Sequence, residues 1–294
     1  MTAMKKLIVI DGFNLLSRGY FATSYGRPEE ELPVNDKGEY INALRVFFAK
    51  MNQLERQLGA SHISVAWDGK REDTTRNQQH TFYKAQRKDL PKALISQYHT
   101  ASTVLNNMGI HHTNVTGFEA DDIIGAFSKR ADENLHVYMY SNDRDLFQLL
   151  NLHTDQLFMK KKQEIHYTVD DFKRDYEIEP YQWVDVKALL GDPSDNIPGC
   201  PGVGEKAALP LIKQYVTVEE LYEKLDELDP LFKRYYKKLA AGEENVKISK
   251  ELAAIDPEVK EILELDIDEL GVSDPELRQE VLEEAGIVKA PFGG

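Results

Sequence analysis

Four short runs of β-branched and aromatic residues, KLIVID (6–11), HISVAWD (62–68), IHHTNV (110–115) and HVYMYSND (136–143), alternate with segments of helical periodicity. Strands that alternate with helices are joined in parallel by crossovers, so the expected fold is α/β: a mostly parallel sheet with helices on both faces. The clearest helical segments are 42–58, 91–108 and the stretch GFEADDIIGAF at 117–127. After about Asp170 the pattern turns nearly all-helical, punctuated by Pro180, Pro193, Pro198, Pro201, Pro230 and Pro257. A boundary is expected near 168–180, between an α/β part (1–175) and a helical part (176–294).

The strand ends carry acids. Asp11 closes the first run, Asp68 the second, and Asp143 and Asp145 follow the fourth. In open parallel sheets ligands bind beyond the carboxyl ends of the strands, so these side chains should converge on one crevice. In GFEADDIIGAF, Ala120, Ile123, Ile124 and Phe127 share one helix face and Glu119, Asp121 and Asp122 the other. Taken alone, this is also the pattern of a solvated helix whose first-turn acids meet its dipole. Beside the strand-end aspartates, it brings three more carboxylates to the same rim. Like charges so close raise one another's pKa and destabilise the fold unless something cationic lies among them. Oxygen donors with almost no Cys or His nearby suit Mg2+ or Mn2+. Two such ions about 4 Å apart can stabilise the attacking and leaving oxygens of a phosphodiester. On this reading Asp121→Asn or Asp122→Asn relieves repulsion and stabilises the metal-free protein.

The net charge of −14 argues at first against a polyanionic partner, but from Thr217 onward 21 Asp/Glu face only 10 Lys/Arg. Asp68 to Lys92, by contrast, carries seven basic residues against four acids. Within RNQQHTFYKAQRKDLPK (76–92), Lys84 and Arg87 are three apart and share one side of a helical turn. They suit a phosphate clamp, with Tyr83 beside them as a stacking platform for a base. Further on, GDPSDNIPGCPGVGEKAA (191–208) places Gly199, Gly202 and Gly204 before a helix that resumes at Glu205. Glycines let the backbone approach a ligand, the helix N-terminus favours an anion, and Lys206 adds charge. Asp192 and Asp195 bring a second acid pair to the entrance.

At this point the chain resembles the bacterial 5′-nuclease (flap endonuclease) family, as a stand-alone relative of the 5′→3′ exonuclease domain of DNA polymerase I. The matching stretches are VIDGFNLLSRGYFA, WDGKREDTTR, YKAQR, GFEADDIIGAF, SNDRDLFQLL, QWVDVKALLGDPSDNIPGCPGVGEKAA and ISKELAAI, in family order from about Lys6 to Ile255. The resemblance implies a PIN-like core with a helical arch at about 76–92 and a helix-hairpin-helix (H3TH) region at about 187–216. It implies nine metal-site carboxylates: Asp11, Asp68, Glu119, Asp121, Asp122, Asp143, Asp145, Asp192 and Asp195. It further implies two Mg2+ (or Mn2+), catalytic roles for Lys84 and Arg87 at the arch base, and base stacking by Tyr83. DNA contact is implied for Arg18, Arg76, Gly199, Gly202, Gly204 and Lys206, with K+ at the hairpin. The implied substrate is DNA with a 5′ flap or 5′ end, or an RNA primer–DNA hybrid, cut by a monomer whose coupling to synthesis needs a separate polymerase.

Two departures from the family pattern stand out. Asn142 replaces the usual glycine before Asp143, where a left-handed conformation is expected to persist. Pro210, in the helix leaving the hairpin, is expected to shorten or kink it. The alternative reading is a non-catalytic helix-hairpin-helix DNA-binding protein, which gives no reason for Asp11, Asp68 and Asp143. A haloacid-dehalogenase-type phosphatase would want a second aspartate where Phe13 stands. The single Cys200 excludes an internal disulfide, and no run approaches the ~18 apolar residues of a membrane span. A cytoplasmic protein is expected, with the acidic segment after Ile255 covering part of the core.

Overall fold

The computed structural model describes residues 4–288. A six-stranded sheet has the order β3-β2-β1-β4-β5-β6, formed by β1 (Lys5–Asp11), β2 (His62–Ala66), β3 (His111–Thr113), β4 (Leu135–Tyr140), β5 (Thr154–Lys160) and β6 (Gln163–Tyr167). All neighbours pair in parallel except β5 and β6. The helices are α1 (Gly12–Ser24), α2 (Asn42–Leu58), α3 (Thr75–Gln79), α4 (Lys92–Asn107), α5 (Ala120–Lys129), α6 (Val169–Tyr176), α7 (Trp183–Leu190), α8 (Glu205–Tyr215), α9 (Val218–Glu223), α10 (Tyr236–Ala253), α11 (Lys260–Leu263) and α12 (Pro275–Glu284).

Strand β1 shows why the sheet is covered on both sides. Its side chains alternate between two cores: Leu7 and Val9 join one hydrophobic cluster, Ile8 and Ile10 the other. Val137 and Met139 of β4 repeat the first assignment, Tyr138 and Tyr140 the second. At the carboxyl end of β1 the chain turns at once into α1, whose cap is Asp11, accepting the Asn14 N–H at 3.0 Å. Gly12 is needed there, because a Cβ would come within 2.3 Å of the Trp67 ring.

The hairpin of β5 and β6 has no counterpart among the four strand runs read from sequence. Its lysines and glutamines mask the alternation, and Lys161 and Lys162 form its turn with φ of +49° and +68°. Pro210 does not end α8, which continues to Tyr215. The bond Pro210 forgoes is to the carbonyl of exposed Lys206, while Ala207, Ala208, Leu211 and Ile212 anchor the helix in the core. The acidic C-terminal segment covers both clusters. Val259, Ile262, Ile267 and Leu270 join one, and Val281, Leu282 and Ile287 the other.

Candidate active site

The strand-end acids meet in a cavity of about 480 Å³. Asp11, Asp68, Glu119, Asp121, Asp143, Asp145 and Asp195 line it, together with Arg18, Arg76, Lys84 and Arg87. Asp11 comes directly from β1, Asp68 follows β2, and Asp143 and Asp145 follow β4. Asp68 reaches across to accept the Ala120 N–H that opens α5, at 2.9 Å. The Ser141 hydroxyl donates to Asp11 at 2.8 Å and accepts the Asp143 N–H at 3.1 Å, tying two of the acids together. Sequence reading did not single out Ser141; its place one residue past β4 was the available signal.

The acids carry the electrostatic cost expected of them. Burial, reinforced by Asp68 and Asp143, pushes the Asp11 carboxyl up to about 7, although bonds from Asn14 and Ser141 oppose the shift. Burial and then the charges of Asp143, Asp11 and Asp68 raise Asp121 well above the usual carboxylate range. Asp145 is raised to about 6 by burial and Asp143, against the pull of Lys187. Lys187, in the last turn of α7, is a residue the sequence did not single out. Its ammonium lies 2.8 Å from Asp145 and 3.1 Å from Asp192. Burial works against the carboxylate of Asp192, but Ser194 and Lys187 outweigh it and lower its pKa. Among the described residues, no three carboxylates close into a ready coordination shell.

Asp122 is placed differently from its neighbours. It is 1% exposed and turned away from the cavity. One oxygen accepts the Glu119 N–H at 2.9 Å, and both oxygens accept from Arg76 at 2.7 Å. Arg76 also donates to the Ala254 carbonyl at 2.5 Å. The expected DNA-contacting arginine is thus a half-buried brace that holds the start of α5 against the end of α10, and the expected metal-site acid is its partner.

The segment 76–92 also departs from expectation. Beyond α3 it consists of turns and extended chain, so Lys84 and Arg87 do not share a helical turn. Lys84 has φ +55°, yet both side chains still face the acids. Lys84 Nζ donates to Glu119 at 2.5 Å, and Arg87 donates to Asp195 at 2.6 and 3.0 Å. Burial disfavours the Lys84 ammonium, but Glu119 more than offsets it and raises the pKa. Tyr83 is only 3% exposed, packs with Ile197, Leu252 and Ala253, and donates its hydroxyl to Glu119 at 3.0 Å. A ring so enclosed orients Glu119 and offers no face to a base.

Asn142 is not left-handed. Its amide instead donates to the Met159 carbonyl at 2.8 Å and accepts the Met159 N–H at 3.0 Å, extending the β4–β5 pairing, while Arg18 donates to it. In the hairpin, Gly199 is buried, its N–H donates to Ser249 at 2.8 Å, and a Cβ would come within 2.5 Å of the Gly191 nitrogen. It serves backbone packing. Gly202, Gly204 and Lys206 are exposed at the start of α8. The Gly202 carbonyl accepts from the Lys238 ammonium at 3.0 Å.

Residues 6–177 match the family of the 5′-3′ exonuclease N-terminal resolvase-like domain, and residues 178–278 that of the 5′-3′ exonuclease C-terminal SAM fold. The chain belongs to the 5′-3′ exonuclease family. It is a nuclease, a phosphodiester hydrolase. It is 57% identical over 271 residues to a 5′-3′ exonuclease of Halalkalibacterium halodurans, covering 92% of this chain and 89% of the relative. It is 36% identical to DNA polymerase I of Bacillus subtilis over 87% of this chain and 28% of the polymerase. A bacteriophage T5 flap endonuclease in a pseudo-enzyme–product complex with DNA and metal ions superposes with a TM-score of 0.63 at 22% identity, covering 96% of this chain and 99% of that one. At that identity the likeness concerns the fold. Among the described residues no helix is long and apolar enough to cross a membrane.

Proposed function

We propose that this nuclease cuts DNA at 5′ ends and at 5′-flap junctions, with two divalent ions, Mg2+ or Mn2+, held in the acid-lined cavity. The observation that carries the reading is that Asp11, Asp68 and Asp121 line one cavity, Asp11 buried and the other two half-buried, each raised in pKa, beside the cationic Lys84. The donor set is entirely oxygen, which fits hard divalent cations. Asp11, Asp68, Asp121 and Asp143 would hold one ion, and Asp145, Asp192 and Asp195 would support the other. Bound ions supply charge that polarises the phosphoryl group and lowers the pKa of an attacking water.

The chain's own residues do the rest. Ser141 fixes Asp11 relative to Asp143. Lys187 orients Asp145 and Asp192. Lys84 and Arg87 exchange their carboxylate partners for oxygens of the scissile phosphate and neutralise its developing charge. Glu119, braced by Tyr83 and Arg76, returns Lys84 to its starting position. The start of α8, with Gly202, Gly204 and Lys206 exposed, suits a phosphate of the duplex. An RNA primer at the 5′ end of a DNA strand is a second substrate of the same chemistry.

The test is a 5′-labelled flap incubated with Mg2+, Mn2+ or EDTA, with products resolved by length. Short 5′ products in either metal and none in EDTA are expected; cleavage that persists in EDTA overturns the metal assignment. A gel-shift on the same DNA separates binding from cleavage.

A further inference from the structure

Lys84 and Arg87 are held in place from a loop far along the chain. Asp192 and Ile197 exchange backbone hydrogen bonds, each at 2.9 Å, and so close a tight loop in which Asn196 takes φ +60°. Asparagine is among the few residues that adopt this conformation readily. There, its side-chain oxygen accepts the Gln86 N–H at 3.2 Å, across a separation of 110 residues. The neighbouring Asp195 carbonyl accepts the Lys84 N–H at 2.9 Å. Lys84 itself is left-handed, and such a lysine persists only where its surroundings over-determine it. One loop therefore satisfies two backbone donors of the same turn. Displacing the turn forfeits both bonds.

We propose that Asn196 is a positioning residue for phosphodiester cleavage. Its side-chain oxygen, acting with the Asp195 carbonyl, fixes the turn so that the Lys84 ammonium and the Arg87 guanidinium face the cavity. The inference rests on the reading that these two groups act on the scissile phosphate. Asp195 and Ile197 line the cavity, whereas Asn196 between them directs its side chain to the turn. Being uncharged, it can be replaced by glycine without altering the cavity's charge. The loop runs on directly into the glycine-rich hairpin, so the segment that suits duplex DNA and the residues that suit its phosphate are joined by two hydrogen bonds.

Full-length Asn196→Gly keeps a backbone that accepts the left-handed conformation and removes the acceptor, while Asn196→Asp keeps both. With a 5′ flap and Mg2+, Asn196→Gly should lower the single-turnover rate about ten-fold, within the ~10²-fold that misplacing a reacting group can cost. Its Kd for the flap in EDTA should stay within about two-fold of the parent, as expected when only transition-state contacts are lost. Hydrogen exchange at the Gln86 amide should accelerate. Asn196→Asp, which keeps the acceptor but adds a charge beside the acids, should restore the protection; the rate is compared for Asn196→Gly alone. A parental rate in Asn196→Gly, unchanged exchange at Gln86 in that variant, or exchange at Gln86 in Asn196→Asp as fast as in the glycine variant overturns the proposal. Lys84→Ala is run alongside. If it is slow while Asn196→Gly is not, only the positioning role fails; if it cleaves normally, the phosphate-handling reading fails and takes the inference with it.

Discussion

Arg76 and Asp122 form a two-pronged ion pair with both contacts at 2.7 Å, between a guanidinium 13% exposed and a carboxylate 1% exposed. Breaking a buried pair strands the charge of the surviving partner. Asp122→Asn should therefore destabilise the metal-free protein by about 3 kcal/mol, the lower end for such pairs because asparagine retains one acceptor. This is the opposite sign from the relief of repulsion that the helix pattern suggested. Thermal unfolding in EDTA checks it, and a raised Tm would return Asp122 to the acid cluster.

One residue earlier the sign reverses. Asp121 stands half-buried beside Asp143, Asp11 and Asp68, all of its own charge. Asp121→Asn should raise Tm in EDTA, and Mg2+ should shrink or reverse that gain, because ion binding favours the intact native site by mass action. Flap cleavage should fall to background while gel-shift binding persists. A variant that unfolds earlier in EDTA and remains active would show that Asp121 is an ordinary first-turn acid.

The raised acids also set a pH dependence. The Asp11 carboxyl moves from an ordinary 3.8 to about 7 on folding, so between those values the folded chain binds more protons than the unfolded one. Stability from this group is then lost as pH rises from about 4 to about 7, and the loss is complete above that. In EDTA the parent's Tm should fall more steeply from pH 5 to 7.5 than that of Asp11→Asn. Parallel profiles would mean that Asp11 titrates as an exposed carboxylate does.

Lys84→Ala should lower single-turnover cleavage by at least ~10²-fold, the usual effect of losing one donor to transition-state charge. Flap affinity should change far less. A variant that cuts at the parental rate once enzyme is in excess would reduce Lys84 to a tether for the backbone.

Ile287, wholly buried beyond α12, closes the second core, and its carbonyl accepts from Arg45 at 2.9 Å. Ile287→Ala should cost about 2–5 kcal/mol, as large-to-small core changes do. Per-molecule cleavage below the unfolding transition should be unchanged. Lost cleavage with unaltered melting would give the C-terminal segment a direct role in the site.

The alternation of short β-branched runs with helical periodicity was enough to specify a parallel sheet. The position of Asp11, Asp68 and Asp143 at strand ends was enough to assemble the cavity, because strand direction is a local property and ligand position follows from it. The apolar face of α5 was legible for the same reason: Ala120, Ile123, Ile124 and Phe127 repeat at the helical period. What periodicity cannot carry is the partner of a polar group. Asp121 and Asp122 are adjacent and chemically identical, yet one faces the cavity and the other Arg76, 46 residues earlier in the chain. Tyr83 reads as an accessible aromatic until Ile197, Leu252 and Ala253 enclose it. Lys84 keeps its place through a loop whose sequence gives no sign of the contact. These assignments depend on charges and hydrogen-bond donors brought together over long separations, where the cost of an unpaired buried group selects the partner, and only the folded chain brings the candidates within reach.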